Sequence, residues 1–279
     1  MLSSDVQPFT MGPALLFCPA DRPERFGKAA DRADAVILDL EDAVAPAAKA
    51  AARAAILEQS GTDALDPDRT IVRVNPVDTS DFDLDLEALA KSPYRTVMLA
   101  KAEGAEQLKA LEGYRVIALC ETAAGIVNAP AIAAQPNVVG LMWGAEDLLA
   151  SLGGLSSRDD DGGYRAVALH SRSAVLLAAK AAGKEAIDSV YVNIPDLEGL
   201  AVESRDAVSS GFGAKACIHP QQVAVVREAY APTQEAVAHA TELLEAAASA
   251  GTGVFQFNGK MIDGPILKHA QSTLRRAGL

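Results

Sequence analysis

The chain is poor in aromatic residues: Phe, Tyr and Trp make up 5% of its 279 residues, and Trp143 is the single tryptophan. A core with few large rings must be closed by aliphatic side chains and alanine, which suits tightly packed helices. Cysteine is scarce too. Cys18, Cys120 and Cys217 are an odd number, unpaired by spacing, and each lies at the end of an apolar run. The expectation is three buried thiols in a cytoplasmic protein, not a disulfide framework. None has a nearby motif histidine or a Cys-x-x-Cys partner, which argues against a catalytic thiolate. No apolar run is long enough to span a bilayer and no secretory h-region leads the chain, so a soluble, non-membrane protein is expected. Positive charge is in deficit as well, with 25 Lys and Arg against 37 Asp and Glu and a net charge of -12. No basic stretch interrupts that field, which excludes a general nucleic-acid or membrane-surface binder. An anionic small molecule held by a local arginine cluster is not excluded.

What the chain has in quantity is apolar sequence, 49% of residues, enough for one large core. Short runs rich in Val, Ile and Leu recur: "ALLFC" at Ala14, "AVILDL" at Ala35, "TIVRV" at Thr70, "TVMLA" at Thr96, "RVIALC" at Arg115, "VVGLMW" at Val138, "SVYVNI" at Ser189 and "AKACIHP" at Ala214. Ala-rich segments with helical spacing lie between them. Buried strands alternating with helices imply a parallel sheet covered on both faces. Eight such units predict a closed (β/α)8 barrel, the TIM-barrel form of the α/β class. An open doubly wound sheet is the alternative, but no Gly-x-Gly-x-x-Gly turn follows the first strand.

The barrel is expected over residues 1–250 and a C-terminal extension over 251–279. In the extension, Asn258-Gly259 is a type I′ hairpin signal, and Asp263 and Pro265 are placed to start a helix over Ile266–Arg276. A hairpin plus helix exceeds what a barrel needs and is a candidate lid or subunit-contact element.

Catalytic groups of such barrels gather where strands end. Those positions carry Asp39, Glu41 and Asp42 after strand two, Arg73 and Asn75 on strand three, Lys101 and Glu103 after strand four, Glu121 after strand five, Glu146 and Asp147 after strand six and His219 after strand eight. Carboxylates so crowded raise one another's pKa unless cations compensate. Oxygen ligands that leave room for water and substrate suit Mg²⁺ or Mn²⁺. Glu121 and Asp147 are candidate ligands from adjacent strands, and Arg73 a candidate bidentate grip on a substrate carboxylate. Structural readings stand beside these: Glu146 or Asp147 as a helix N-cap, Arg73 as a salt bridge to Asp39 or Glu41, and Asp263 as the cap of the last helix. The loop "GGLSSRDDDGGY" from Gly153 reads as solvated, and His170, His239 and His269 as solvent-facing.

The stretches "LLFCPADRPERFGKA", "VILDLEDAVAPAAKAAAR", "IVRVNP", "CETAAGI", "WGAEDL", "CIHPQQV", "YAPTQEAVAHA" and "FNGKMIDGPIL" occur in an order and spacing that resembles the citrate lyase β-subunit-like proteins of the HpcH/HpaI aldolase family, malyl-CoA and citramalyl-CoA lyases among them. The resemblance covers about Pro13 to Gly278. It implies a barrel lyase, usually a homotrimer, with Mg²⁺ at the barrel mouth, acting on a carbon–carbon bond between an acyl-thioester α-carbon and a 2-oxo acid. By motif position Glu121 and Asp147 are the implied metal ligands. Arg73 is the carboxylate clamp, and Glu146 and Asp147 line the small-acid pocket. Phe17, Arg22 and Lys28 are implied to hold coenzyme A. Asp263 is implied to be a proton-transfer group that reaches a neighbouring subunit's site. The implied reaction cleaves or forms a 3-hydroxyacyl-CoA such as citramalyl-CoA or malyl-CoA. A β-subunit acting on a citryl group carried by acyl carrier protein, and a non-catalytic binding protein that keeps the pocket, are the other readings.

Overall fold

The computed structural model describes residues 9–251 and 253–279. Eight parallel strands pair in chain order: β1 (Ala14–Pro19), β2 (Ala35–Asp39), β3 (Thr70–Val74), β4 (Thr96–Leu99), β5 (Arg115–Cys120), β6 (Val138–Trp143), β7 (Glu185–Asp188) and β8 (Ala214–Cys217). β8 returns to β1, Leu16 opposite Cys217, and the sheet closes into the expected barrel. Helices α1 (Phe26–Arg32), α2 (Lys49–Gln59), α3 (Ser80–Leu89), α4 (Ala123–Ala133), α6 (Ala166–Ala181), α7 (Leu197–Ser210) and α8 (Pro220–Tyr230) follow strands, and β6 carries an added short helix, α5 (Ala145–Ser151). Between β4 and β5 the connection is a 3₁₀ segment, Ala105–Leu111.

Side chains alternate across a strand, and the alternation decides what fills the barrel. Leu15, Ile37, Ile71, Met98, Ile117, Leu119, Met142, Ile187, Ala214 and Ala216 form one buried cluster inside it. The intervening residues, such as Leu16, Leu38 and Val72, are equally buried against the helices.

One strand departs from expectation. "SVYVNI" was the expected seventh strand, yet β7 is Glu185–Asp188 and residues 189–193 form the loop beyond it. Charges at Glu185 and Asp188 flank the short apolar pair Ala186–Ile187 and hide the strand. Asp188 is fully buried because Lys215 and Arg172 pair with it.

The chain divides into two compact units, one ending at Val226 and one spanning Arg227–Leu279. The second holds α9 (Gln234–Ala250), an antiparallel hairpin of β9 (Phe255–Phe257) and β10 (Lys260–Ile262), and α10 (Gly264–Arg276). Asn258 and Gly259 both take positive φ, 49° and 77°, as the type I′ signal requires. Ala240, Leu243, Ile262 and Ala270 make a small core of this unit's own, so α9 packs with the hairpin and α10 and the 250/251 boundary falls inside the unit.

Candidate active site

Continuing the alternation to the strand tips builds the site. Asp39 follows Ala35 and Ile37 on the inward face, Arg73 follows Ile71, and Glu121 follows Ile117 and Leu119. Asp39 and Arg73 are also direct cross-strand partners. These tips, with Phe17, Met142, Gly144, Glu146, Asp147, Ser189 and Val190, line a cavity of about 200 Å³ at the C-terminal mouth of the barrel. A larger open groove of about 1230 Å³ lies at the other end between α4 and α6, lined mainly by alanines, prolines and Leu177, and carries no paired carboxylates.

Arg73 is fixed on two sides. Its Nε and Nη2 donate to the two oxygens of Asp39, each at 2.6 Å, and Nη1 lies 3.1 Å from Glu41 Oε2. The guanidinium stacks over the Phe17 ring, 5.0 Å from its centroid. Burial works against its charge, but Asp39 and Glu41 outweigh burial and hold Arg73 above the usual arginine range. The structural ion pair is therefore real. It uses two of the five guanidinium donors in bonds to Asp39, and the side chain also lines the cavity.

Glu121 is 2% exposed. One oxygen accepts the Lys101 amide at 3.0 Å, an approach made possible by the left-handed backbone of Lys101 at φ 49°. The other faces Gly144, where a β-carbon would stand 2.8 Å away, so glycine keeps that oxygen uncovered. Burial, and then the Asp147 charge, push its carboxyl up to about 8, against the opposing pull of Arg73 and Lys101. The Lys101 ammonium bridges Glu41, Asp42 (3.4 Å) and Asp147 (3.7 Å). A buried carboxyl that a neighbouring carboxylate pushes up, and that keeps one oxygen open, suits a divalent cation. Mg²⁺ binds through one or two carboxylates and keeps waters and substrate as its other ligands. Among the described residues no cluster of three or more His, Cys, Asp or Glu is arranged for a metal, so a fully protein-ligated metal is not the fit here.

Glu146 and Asp147 are not helix caps. The N-cap of α5 is Gly144, without a side-chain bond, and the two acids occupy the first turn. Their place is set by the cavity: Glu146 accepts from the Ser157 hydroxyl at 2.6 Å, and Asp147 faces Lys101. Asp263 does cap α10, accepting from the Ile266 amide at 3.5 Å, and it belongs to the second unit. Arg22 and Lys28 are exposed, on the β1–α1 connection and on α1, while Phe17 is drawn into the cavity. The three cysteines are buried and form no disulfide, and burial raises the Cys18 thiol to about 11 and Cys120 to about 12.

Sequence reasoning missed a second polar assembly on the outward face of β6–β8. Asp188 accepts from Trp143 Nε1 (2.8 Å), Arg172 Nε (2.9 Å) and Lys215 Nζ (2.9 Å). Burial alone would raise Asp188, but Lys215 and Arg172 prevail and hold it at about 2. The available signals were a lysine inside the apolar run "AKACIHP" and an aspartate at the end of "AID".

A closed barrel with acids and an arginine gathered at its C-terminal mouth defines an enzyme of the (β/α)8 class. The chain belongs to the HpcH/HpaI aldolase/citrate lyase family, whose model matches residues 14–220, and the family makes it a carbon–carbon lyase. It is similar to the citrate lyase subunit beta-like protein of Mycobacterium tuberculosis (strain ATCC 25618 / H37Rv), 56% identical over 267 residues and 96% of each chain. It is also similar to the mitochondrial citramalyl-CoA lyase of Homo sapiens, 33% identical across 95% of this chain and 85% of that one. The crystal structure of the protein CitE from Mycobacterium tuberculosis, in complex with magnesium, acetoacetate and coenzyme A, superposes with a TM-score of 0.90 at 56% identity, covering 97% of this chain and 99% of the other.

Proposed function

We propose that the protein is a Mg²⁺-dependent lyase that cleaves, or in reverse forms, a 3-hydroxyacyl-CoA such as citramalyl-CoA or malyl-CoA, releasing acetyl-CoA and a 2-oxo acid. The observation that carries this reading is Glu121, a buried carboxylate with one open oxygen, set beside Asp147 and Arg73 around a single cavity. A volume of about 200 Å³ suits a small oxo acid and leaves the coenzyme outside it. A relative named for citramalyl-CoA, and another bound to magnesium, acetoacetate and coenzyme A, support the same substrate class.

Glu121 and Asp147 would hold the metal, which when bound supplies Lewis-acid polarisation of the substrate's oxygens. Arg73, prealigned by Asp39 and Glu41, offers its remaining donors to the oxo-acid carboxylate and fixes the reacting carbons, a positioning effect. In cleavage the hydroxyl proton leaves to a base, the carbon–carbon bond breaks, and its electron pair passes to the thioester α-carbon, which takes up a proton. Asp263 is our assignment for that acid, acting on a neighbouring subunit's site in a homotrimer. Arg22 and Lys28 are exposed to meet the phosphates of coenzyme A, with Phe17 at the inner end of the path. Residence in the cytoplasm completes the reading.

The test is an assay of purified protein with Mg²⁺ and a panel of 3-hydroxyacyl-CoA thioesters, scoring acetyl-CoA with glyoxylate or pyruvate. Metal-dependent release supports the proposal. Activity confined to a citryl-acyl carrier protein would transfer the chain to the citrate lyase β-subunit reading. No Mg²⁺ binding by calorimetry would leave a non-catalytic binding protein.

A further inference from the structure

The loop after α5 is mostly exposed, yet Ser157 within it is 2% exposed. Its hydroxyl donates to Glu146 Oε1 at 2.6 Å, and its carbonyl accepts the Arg165 amide at 2.9 Å. Beyond Ser157 the chain folds back on itself. Arg158 bridges Tyr164, Asp159 N donates to the Gly163 carbonyl at 2.8 Å, and the Asp159 carboxylate accepts from the Asp161 and Gly163 amides. The Arg158 guanidinium donates to the Gly162 carbonyl at 2.9 Å within this small hairpin, stacks 3.9 Å from the centroid of Tyr164 and 5.1 Å from that of Tyr191, and reaches Glu203 Oε2 at 2.7 Å.

Glu203, on α7, is the junction. It also accepts from Tyr164 at 3.2 Å and from Lys215 at 2.9 Å. Lys215 is wholly buried, outward-facing between Ala214 and Ala216, and donates as well to Asp188 and to the carbonyl of Ser189 at 2.7 Å. Ser189 and Glu146 are both walls of the site cavity. A chain of charge-assisted bonds outside the barrel therefore ends on one wall of the pocket at Ser189, and reaches a second at Glu146 through the backbone from Arg158 to Ser157. None of these groups touches the reacting atoms, and so buried an ionic assembly is expensive to desolvate unless complete.

We propose that Ser157 is a positioning residue for Glu146, and that Arg158, Glu203 and Lys215 form the latch that keeps Ser157 in place and so shapes the small-acid pocket. The proposal rests on the reading of that cavity as the oxo-acid site. Trp143, the single tryptophan, bonds to Asp188 and lies edge-on to Tyr164 at 5.1 Å, which makes its fluorescence a direct report on the latch.

The experiment is calorimetric titration of pyruvate into Mg²⁺-loaded protein, alongside Mg²⁺ titration alone. Ser157→Ala should weaken pyruvate binding about tenfold, the scale of one bond to a charged group. Mg²⁺ affinity should stay within about twofold, since Ser157 bonds to Glu146 and to neither Glu121 nor Asp147. In a Glu146→Ala background the same substitution should cost nothing further, because its effect passes through Glu146. Arg158→Gln should reproduce the pyruvate loss and shift the emission of Trp143. Unchanged pyruvate affinity in Ser157→Ala, or an equal loss of pyruvate and Mg²⁺ binding, overturns the proposal. Should the wild type bind no pyruvate, the functional reading fails instead, and amide exchange judges the latch. Faster exchange over residues 145–151 in Ser157→Ala upholds it, and unaltered exchange rejects it.

Discussion

Arg73 has two duties at once, and the geometry shows how they coexist. Asp39 takes Nε and one terminal nitrogen as a fork, Glu41 pairs with the other, and the side chain also lines the cavity. Lysine supplies a point charge without the fork. Arg73→Lys should therefore keep the fold but lower kcat/KM by about 100-fold, about 2.7 kcal/mol of transition-state stabilisation. A rate within about threefold of wild type would reduce Arg73 to a structural ion pair. Glu121 gives a pH prediction. Its folded-state pKa, about 8, lies above the unfolded carboxyl value, so the empty folded protein keeps a proton that the unfolded chain releases. Metal-free stability should then fall as pH rises from the carboxylate range through 8. Mg²⁺ needs the carboxylate form, so binding should strengthen across the same window with release of a proton. Calorimetry in buffers of different ionisation enthalpy measures that proton, and a pH-independent affinity between 6 and 8 would remove Glu121 from the ligand set.

Among the elements, β1 to β6 were legible from sequence because each displays consecutive apolar positions, and β8 because Lys215 alone interrupts its apolar residues. β7 was not. Its terminal aspartate is neutralised by Arg172 and Lys215, partners 16 and 27 residues away, and only the folded barrel brings them together. The inward site residues could be read because period two carries on past the strand end to Asp39, Arg73 and Glu121. The outward assembly could not, since Ser157, Glu203 and Lys215 come from a loop, a helix and a strand with no shared sequence pattern. Asp188→Asn should destabilise the protein by about 3–5 kcal/mol, the cost of leaving buried cations without their anion. A chemical-denaturation midpoint near wild type would contradict the arrangement. In α10, asparagine caps a helix about as well as aspartate. Asp263→Asn should therefore leave the melting temperature nearly unchanged while abolishing lyase turnover, and full turnover would leave Asp263 with its cap alone.

At the scale of the whole molecule, the interior of the barrel is filled by hydrophobic side chains below the mouth, and its charged ones gather at the mouth. Among the described residues no helix is long and apolar enough to cross a membrane. The second unit, with its own core and the capped Asp263, fits the proposal of an assembly in which one subunit completes another's site. Sedimentation should then give a species of three chains, and an active monomer would contradict that arrangement. The account turns on one divalent ion shared by Glu121 and Asp147 beside Arg73. The most direct measurement is a crystal structure of the protein with Mn²⁺ and pyruvate, read by the anomalous signal of the metal. The account requires a single strong peak bound by both carboxylates, with the pyruvate carboxylate on Arg73. A peak elsewhere, or no peak with the two acids turned apart, would contradict it.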